Sequence, residues 1–497
     1  MKITLSILVI FALSPLAQAL RPPPDGGYPG GNTAEGQNAL LGVTTGIYNT
    51  AVGFLSLRSD TTGQLNTAIG AGALLANTGD NNTATGAGAL LSNTTGFDNT
   101  ANGTFALFTN GEGAGNTATG TSALFSNTTG SDNTADGTLA LISNSGGNSN
   151  TAVGRDALFA NTTGNNNTAN GRSALGSNST GSENTAVGFS ALASNTSDRN
   201  TAVGSGALEN NTIGGFNTAN GAGSLGSNIS GSNNTATGGG ALQSNSTGDS
   251  NTATGVQALF SNGTGHVNTA NGFGALYSNS TGDSNIAVGR GALENNTSGD
   301  GNTAVGDFAG NNVTTGSFNV YLGLGVWGVA DEVGHTYISN INSTVQPPSG
   351  DVEYVTINLN TSLLGHSSSS RRYKKDINPM DKASEALYRL KPVTYRYKKE
   401  IDPNQSAAFG LIAEEVAEVT PDLVARNSKG QPESVHYEMV NTMLLNEFLR
   451  EHRKVAKLEA MVALQQKQIQ LLIVGLQKVG AQGQIIKATR KVVRNNP

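Results

Sequence analysis

Hydroxyls and cations, rather than thiols or imidazoles, are what this sequence offers for chemistry. Its 497 residues include no Cys, which excludes a disulfide framework, a thiol nucleophile and any Cys-ligated zinc or iron–sulfur site. The five His (His266, His335, His366, His436 and His452) are scattered with no pair at metal-ligand spacing, so neither a metal site nor a cofactor is expected. Acids recur at no fixed interval, which leaves a polysaccharide-cleaving reading without its clustered carboxylates. One stretch gathers reactive types: four serines, Ser367 to Ser370, run into Arg371-Arg372-Tyr373-Lys374-Lys375-Asp376-Ile377. Read from its residues alone this is a Ser-rich hinge before a basic helix start, with a serine nucleophile as the lesser alternative.

The elements that must carry this stretch are made of two materials. Seven of the 29 Lys and Arg and 21 of the 35 acids precede residue 371, a net charge of −14, and the remainder carries +8. Of 66 Gly, all but five lie before the same point, and aromatics are only 5% of the chain. An acidic body rich in Gly, Asn and Thr is thus joined to a basic, helix-capable tail. At the start, Lys2 precedes an apolar run from Ile3 to Leu13 and then Ala17-Gln18-Ala19, the pattern of a signal peptide over 1–19 cleaved before Leu20. The expected product is secreted or held at the cell surface, bacterial in character given the lack of Cys, and without a transmembrane segment in the mature chain. Residues 20–31, with Pro22-Pro23-Pro24 and Gly26-Gly27, read as a linker.

The body is one repeat. Asn-Thr-Ala or a close variant recurs from Asn32 and Asn49 to Asn302 and Asn319 at a spacing of 17, with two steps of 16 (Asn66 to Asn82, Asn184 to Asn200). Gly stands four positions after each Asn, Leu eight after the first sixteen, and from Asn77 to Asn296 a second Asn stands eleven after. Seventeen residues are too few for a helical hairpin, and Gly, Asn and Thr disfavour helix interiors. Two short extended segments and two turns fit, giving one coil of a parallel β-solenoid, or β-roll, whose Asn columns can hydrogen-bond along the axis. Eighteen such coils predict a rod roughly 80 Å long over 32–325. One Leu contributes about 1.5–3 kcal/mol against about 1–2 kcal/mol of backbone entropy for each residue, a thin core for one chain. Leu and Ala faces of several chains around a common axis would thicken it, which predicts an oligomer.

The pattern NTAVGxxAL resembles the head repeats of trimeric autotransporter adhesins, which implies left-handed parallel β-rolls in a three-chain head. The membrane β-barrel of that family has no counterpart here. Calcium-binding nonapeptide solenoids need Asp at a fixed phase, whereas Asp60, Asp80, Asp98, Asp132 and Asp156 wander, so no calcium is assigned. Beyond the repeats, residues 326–366 read as a β-rich neck, with strands at Thr336-Tyr337-Ile338 and from Val352 to Leu359.

Four ordered strings after the neck, SSRRYKKDINPM, LKPVTYRY, AAFGLIAEEVAEVTPDLV and VHYEMVNTMLLNEFL, closely resemble the endosialidase-type C-terminal intramolecular chaperone of phage tail spikes and fibres. The resemblance covers about residues 367–460 and implies a small α+β chaperone and autoprotease domain at 367–442. Such domains assemble a homotrimer and then cut themselves off with a Ser–Lys dyad. On the matching positions Ser369 is the nucleophile and Lys374 its base, the scissile bond is Ser369–Ser370, and Arg371 and Arg372 are supporting cations. Ser370 stands where the family usually has Asp. The chemistry implied is a single intramolecular turnover with no external substrate: a Lys whose pKa is lowered by partial burial and neighbouring cations activates the hydroxyl. Tyr395, Tyr397, Phe409, Ile412, Val416 and Leu423 read as core, and Glu414 and Glu415 as a solvated helix face.

From Met443 a seven-residue period sets Phe448, Val455, Val462, Ile469 and Leu476 on one seam and Leu444, Leu458, Leu472 and Val479 on the other. This predicts a coiled coil over 443–479, three-stranded by the chaperone resemblance. The basic tail, 480–497, lacks interleaved aromatics, and no nucleic acid is expected. The expectation is a tail-fibre-like or adhesin-like exported protein whose tail trimerises it and then leaves, its surface ligand or receptor unnamed. The alternative is a non-cleaving adhesin with the tail as a permanent clamp.

Overall fold

The computed structural model describes residues 28–341, 355–359, 361, 364–366 and 368–493. The signal peptide 1–19, most of the linker 20–31, part of the neck, Ser367 and the last four residues of the basic tail lie outside these. Two compact units divide near residue 344.

The first unit is a parallel β-solenoid. Each coil contributes one three-residue strand, and β1 (Thr33–Glu35) through β19 (Thr336–Ile338) form one nineteen-stranded sheet, paired in register as Thr33↔Thr50 and Ala34↔Ala51. Strand alternation turns the middle Ala inward and leaves its neighbours outside. The rest of the coil is turns, so there is one strand per coil instead of two extended segments. The reason lies in the Ala-Leu stretch, where each repeat Leu takes a left-handed conformation, as at Leu107 (φ 51°) and Leu158 (φ 51°). That costs about 1–2 kcal/mol for a residue with a Cβ. Complete burial of the Leu, at about 1.5–3 kcal/mol, offsets it. The Gly four places after the Asn has no such alternative: Gly103 sits at φ 148°, and a Cβ there would lie 2.4 Å from the carbonyl oxygen of Gly120. The sheet also runs past residue 325, since β19, expected in the neck, pairs in parallel with Val320–Leu322.

One expectation is overturned. Leu107, Ala101 and Ala106, like their equivalents along the array, are fully buried within a single chain. These faces close on themselves and are not available to a multi-chain axis. What supplements the thin apolar core is polar: two ladders of buried Asn. In the first, Asn116 donates its backbone N–H to Asn99 Oδ1 (3.0 Å) and its Nδ2 to the Gly130 carbonyl (2.9 Å). In the second, Asn127 Nδ2 donates to Asn110 Oδ1 (2.6 Å) and again to Gly130 (2.8 Å). Bonds of this kind contribute about 1 kcal/mol net each, and stacked amides polarise one another. The second ladder ends where Val313 follows, and Asn296 Oδ1 is the single buried side-chain polar atom without a partner among the described residues. Near its other end stands Asp60, fully buried, whose Oδ1 accepts the Gly63 N–H at 2.8 Å. Burial pushes this carboxyl above its ordinary range despite that bond.

The last coils are closed by aromatics. Tyr321 takes the place of an inward Ala, stacks on Tyr337 at 5.7 Å, and donates its hydroxyl to Glu332 Oε1 at 2.6 Å, while Tyr337 donates to Oε2 at 2.7 Å. Burial pushes the Glu332 carboxyl up, but the two hydroxyls, a backbone hydrogen bond and His335 outweigh it and hold the group below its ordinary value.

Among the described residues of the second unit, three antiparallel strand pairs join Val355–Ile357 with Leu364–His366, Val393–Tyr395 with Ala408–Gly410, and Val424–Arg426 with Pro432–Val435. A short helix, Ala413–Val419, and the first turns of a long one, Tyr437–Val493, enclose a core of Val416, Leu423, Val424, Val435, Val440 and Met443. The long helix begins before residue 443 and continues through 479 into the basic tail. Among the described residues no helix is long and apolar enough to cross a membrane.

Candidate active site

The serine–basic junction enters as extended chain and turns at once. Ser370 (φ −67°, ψ 137°) caps a single 3-10 turn, Arg371–Tyr373, its Oγ accepting from the Arg372 backbone N–H at 3.3 Å and from Arg372 Nε at 3.2 Å. Ser is a good N-cap because its short hydroxyl reaches the first free N–H groups of a turn. The Ser370 N–H in turn donates to Ser368 Oγ at 3.2 Å, and the Lys374 N–H closes the turn on the Arg371 carbonyl at 3.2 Å. The Arg372 guanidinium lies 5.6 Å over the Tyr373 ring. Ser370 thus does an acceptor's work in fixing the turn.

Ser369 is exposed between two half-buried serines, and Arg371 through Lys375 are all exposed. No hydrogen bond joins Ser369 to Lys374 in the single chain. The backbone places Ser369 just before the turn and Lys374 just after it, with the two Arg side chains between. Of the residues read as core, Val416 and Leu423 are buried and Tyr395 and Ile412 half-buried. Phe409 (82% exposed), in the strand Ala408–Gly410, and Tyr397 (49%), just past the strand Val393–Tyr395, are not core within one chain. Glu414 and Glu415 are exposed at the start of their helix, where its dipole favours acids.

A second polar cluster is built from residues that follow the junction in the chain. The nearly buried Glu447 accepts from buried Ser384 Oγ at 2.5 Å, from Tyr388 Oη at 2.8 Å and from Arg450 Nη1 at 2.7 Å. Arg450 also pairs with Glu385 at 2.8 Å, and Asn446 Nδ2 donates to Ser384 Oγ at 2.7 Å. The cluster ties the 3-10 segment Asp381–Arg389 to the long helix. Sequence reasoning missed it; the visible signal was the polar pair Asn446-Glu447 inside the apolar run MLLNEFL.

No curated protein and no solved structure matches the chain significantly. Residues 369–425 match the Peptidase S74 family model, described as chaperone of endosialidase, and the match opens on Ser369 itself. Behind its β-solenoid, therefore, this chain carries a chaperone segment of the endosialidase type.

Proposed function

We propose that this is an exported, tail-fibre-like surface protein whose C-terminal chaperone assembles three chains and then releases itself by cleavage at Ser369–Ser370. The observation that carries the reading is the family match from Ser369 to residue 425, directly behind a fibre-type solenoid. Ser369 acts as nucleophile and Lys374 as base. Assembly is what brings the pair together and dries it, since a Lys becomes a base at neutral pH only when burial or nearby cations depress its pKa. Arg371 and Arg372 then stand where they can stabilise a developing oxyanion. The reaction is intramolecular, so proximity supplies much of the rate. Lys374 takes the Ser369 hydroxyl proton as Oγ adds to the carbonyl carbon of the Ser369–Ser370 bond and closes a strained four-membered lactone. The C–N bond breaks, Lys374 delivers the proton to the departing Ser370 amine, and water opens the lactone to the new Ser369 carboxylate.

Support for assembly comes from the long helix, on which every described side chain from Glu451 to Arg490 is exposed, including Val455, Leu458, Ile469 and Leu472. An unpaired helix with a seven-residue apolar seam is stabilised by burying that seam against copies of itself. The exposed Phe409 belongs to the same unit. The test is a denaturing gel of the folded protein: the parent should yield a separate fragment beginning at Ser370, and Ser369→Ala and Lys374→Ala should each remain full length. Processing of both variants at the parental rate would refute the dyad.

A further inference from the structure

One face of the solenoid is a regular array that neither assembly nor cleavage uses. Seventeen of the nineteen strands begin with Thr, the exceptions being Ile286 and Val320, and these Thr point outward beside the outward third residue, most often Val, Thr or Asn. Neither outward rank contains Lys or Arg, and the acids are confined to Glu35 and Asp136. The strands stay in register without a bulge from β1 to β19. Hydroxyls therefore recur about every 4.8 Å along the axis, and side chains at the two outward positions of one strand stand roughly 6.6 Å apart.

The hydroxyls of this rank are free. Elsewhere on the coil Thr side chains are consumed by the array, as when Thr78 Oγ1 donates to the Thr94 carbonyl (2.8 Å) or Thr128 Oγ1 to that of Ser145 (2.8 Å). Among the described residues no strand-initial Thr hydroxyl bonds to the protein, and Thr83, Thr100, Thr117 and Thr168 are exposed. Apart from Glu35 and Asp136 the face is thus uncharged, periodic in two directions, and formed by a column of Thr beside a column mostly of Val, Thr and Asn.

A protein partner is normally held by a few anchors in irregular relief, and a charged polymer by counter-charges; this face offers neither. What it can match rung after rung is a rigid, uncharged ligand with its own lattice of hydrogen-bonding oxygens. Hexagonal ice is such a ligand, with oxygen repeats close to both spacings of the face. We propose that the Thr face of the solenoid binds the surface of ice. Each rung then aligns one hydroxyl and one methyl with the lattice, and repetition over many rungs supplies affinity that no single rung has. This inference is independent of whether the tail cleaves.

The test uses the full chain. Slow freezing on a cold finger should enrich the protein in the ice several-fold over serum albumin, and a crystal held in its solution should show a hysteresis gap between melting and growth. Tyr is well tolerated in exposed strands. Replacing three adjacent rungs, Thr168→Tyr with Thr185→Tyr and Thr201→Tyr, should reduce enrichment to the albumin level while the circular dichroism is unchanged. The same bulk placed off the face, Ser227→Tyr with Ser244→Tyr and Ser261→Tyr, should leave it intact. Thr168→Val with Thr185→Val and Thr201→Val, which keeps shape and strips hydroxyls, should weaken enrichment as well. Exclusion of the parent from ice would overturn the proposal, as would equal partition of on-face and off-face variants. A shift in sedimenting mass of the on-face variant with no change in partition would also overturn it, making the face a contact between copies.

Discussion

Replacing Asn144 by Ala should open the solenoid locally. Asn144 Nδ2 donates to Asn127 Oδ1 at 2.8 Å and to the Gly147 carbonyl at 3.0 Å, and its Oδ1 accepts from Asn161 Nδ2 at 2.8 Å. Gly147 keeps a second donor, Asn133 Nδ2 at 2.8 Å, so its carbonyl is not stranded. Two buried groups are left unpaired: Asn127 Oδ1 and one N–H of Asn161. At about 1–3 kcal/mol for each orphaned group, the loss is about 2–6 kcal/mol, the lower end applying if a water enters the vacated space. Because stacked coils stabilise only their neighbours, the effect should be confined to coils near residue 144. Native-state hydrogen exchange followed by mass spectrometry reads this directly. Amides between about residues 127 and 164 should lose at least about 30-fold in protection, while coils at either end keep theirs. Thr151→Ala, on the outward rank one coil along and without a side-chain hydrogen bond to the protein among the described residues, should change exchange only within about 0.5 kcal/mol. Protection around Asn144→Ala within threefold of the parent would refute the claim that the Asn ladders, beyond the Leu column, hold the coils.

Asp60→Asn should act in the opposite direction, raising the melting temperature at pH 7, because it removes a desolvated charge and supplies an N–H for the Gly63 carbonyl, as Asn93 does for Gly96 (2.8 Å). The raised Asp60 pKa means that the folded state binds the proton more tightly, so the penalty appears as pH rises through the folded value; the variant should lose that part of the pH dependence, and a lower melting temperature would contradict it. Glu332 has the reverse sign. Its lowered carboxyl stabilises the last coils above the ordinary value of 4.5 and ceases to do so as pH falls through the folded value, so acid should loosen residues near 321–338 ahead of mid-rod coils, and Glu332→Gln should abolish that difference in an exchange profile taken against pH.

How far the sequence disclosed this molecule depends on what each feature repeats. The Asn, Gly and Leu columns were legible because one coil is written eighteen times, and the period fixed a parallel solenoid. Which way the Leu and Ala pointed was not: a period of 17 counts residues per coil but does not say whether a small apolar face closes on its own chain or on another. The left-handed Leu was equally hidden, since an αL residue with a Cβ leaves no mark in composition. At the junction, Ser369, Ser370 and Lys374 stood out through four ordered strings of family resemblance. The Glu447 cluster did not, because its partners Ser384 and Tyr388 lie 63 and 59 residues away and no local spacing links them.

In the proposed function assembly is the premise of release, and the solenoid core, buried within one chain, does not argue for it; the exposed helix of the tail does. Sedimentation equilibrium of the Ser369→Ala chain, which retains that helix, tests it most directly. A single species of three chains is expected at micromolar concentration. A species with the mass of one chain at that concentration would contradict it.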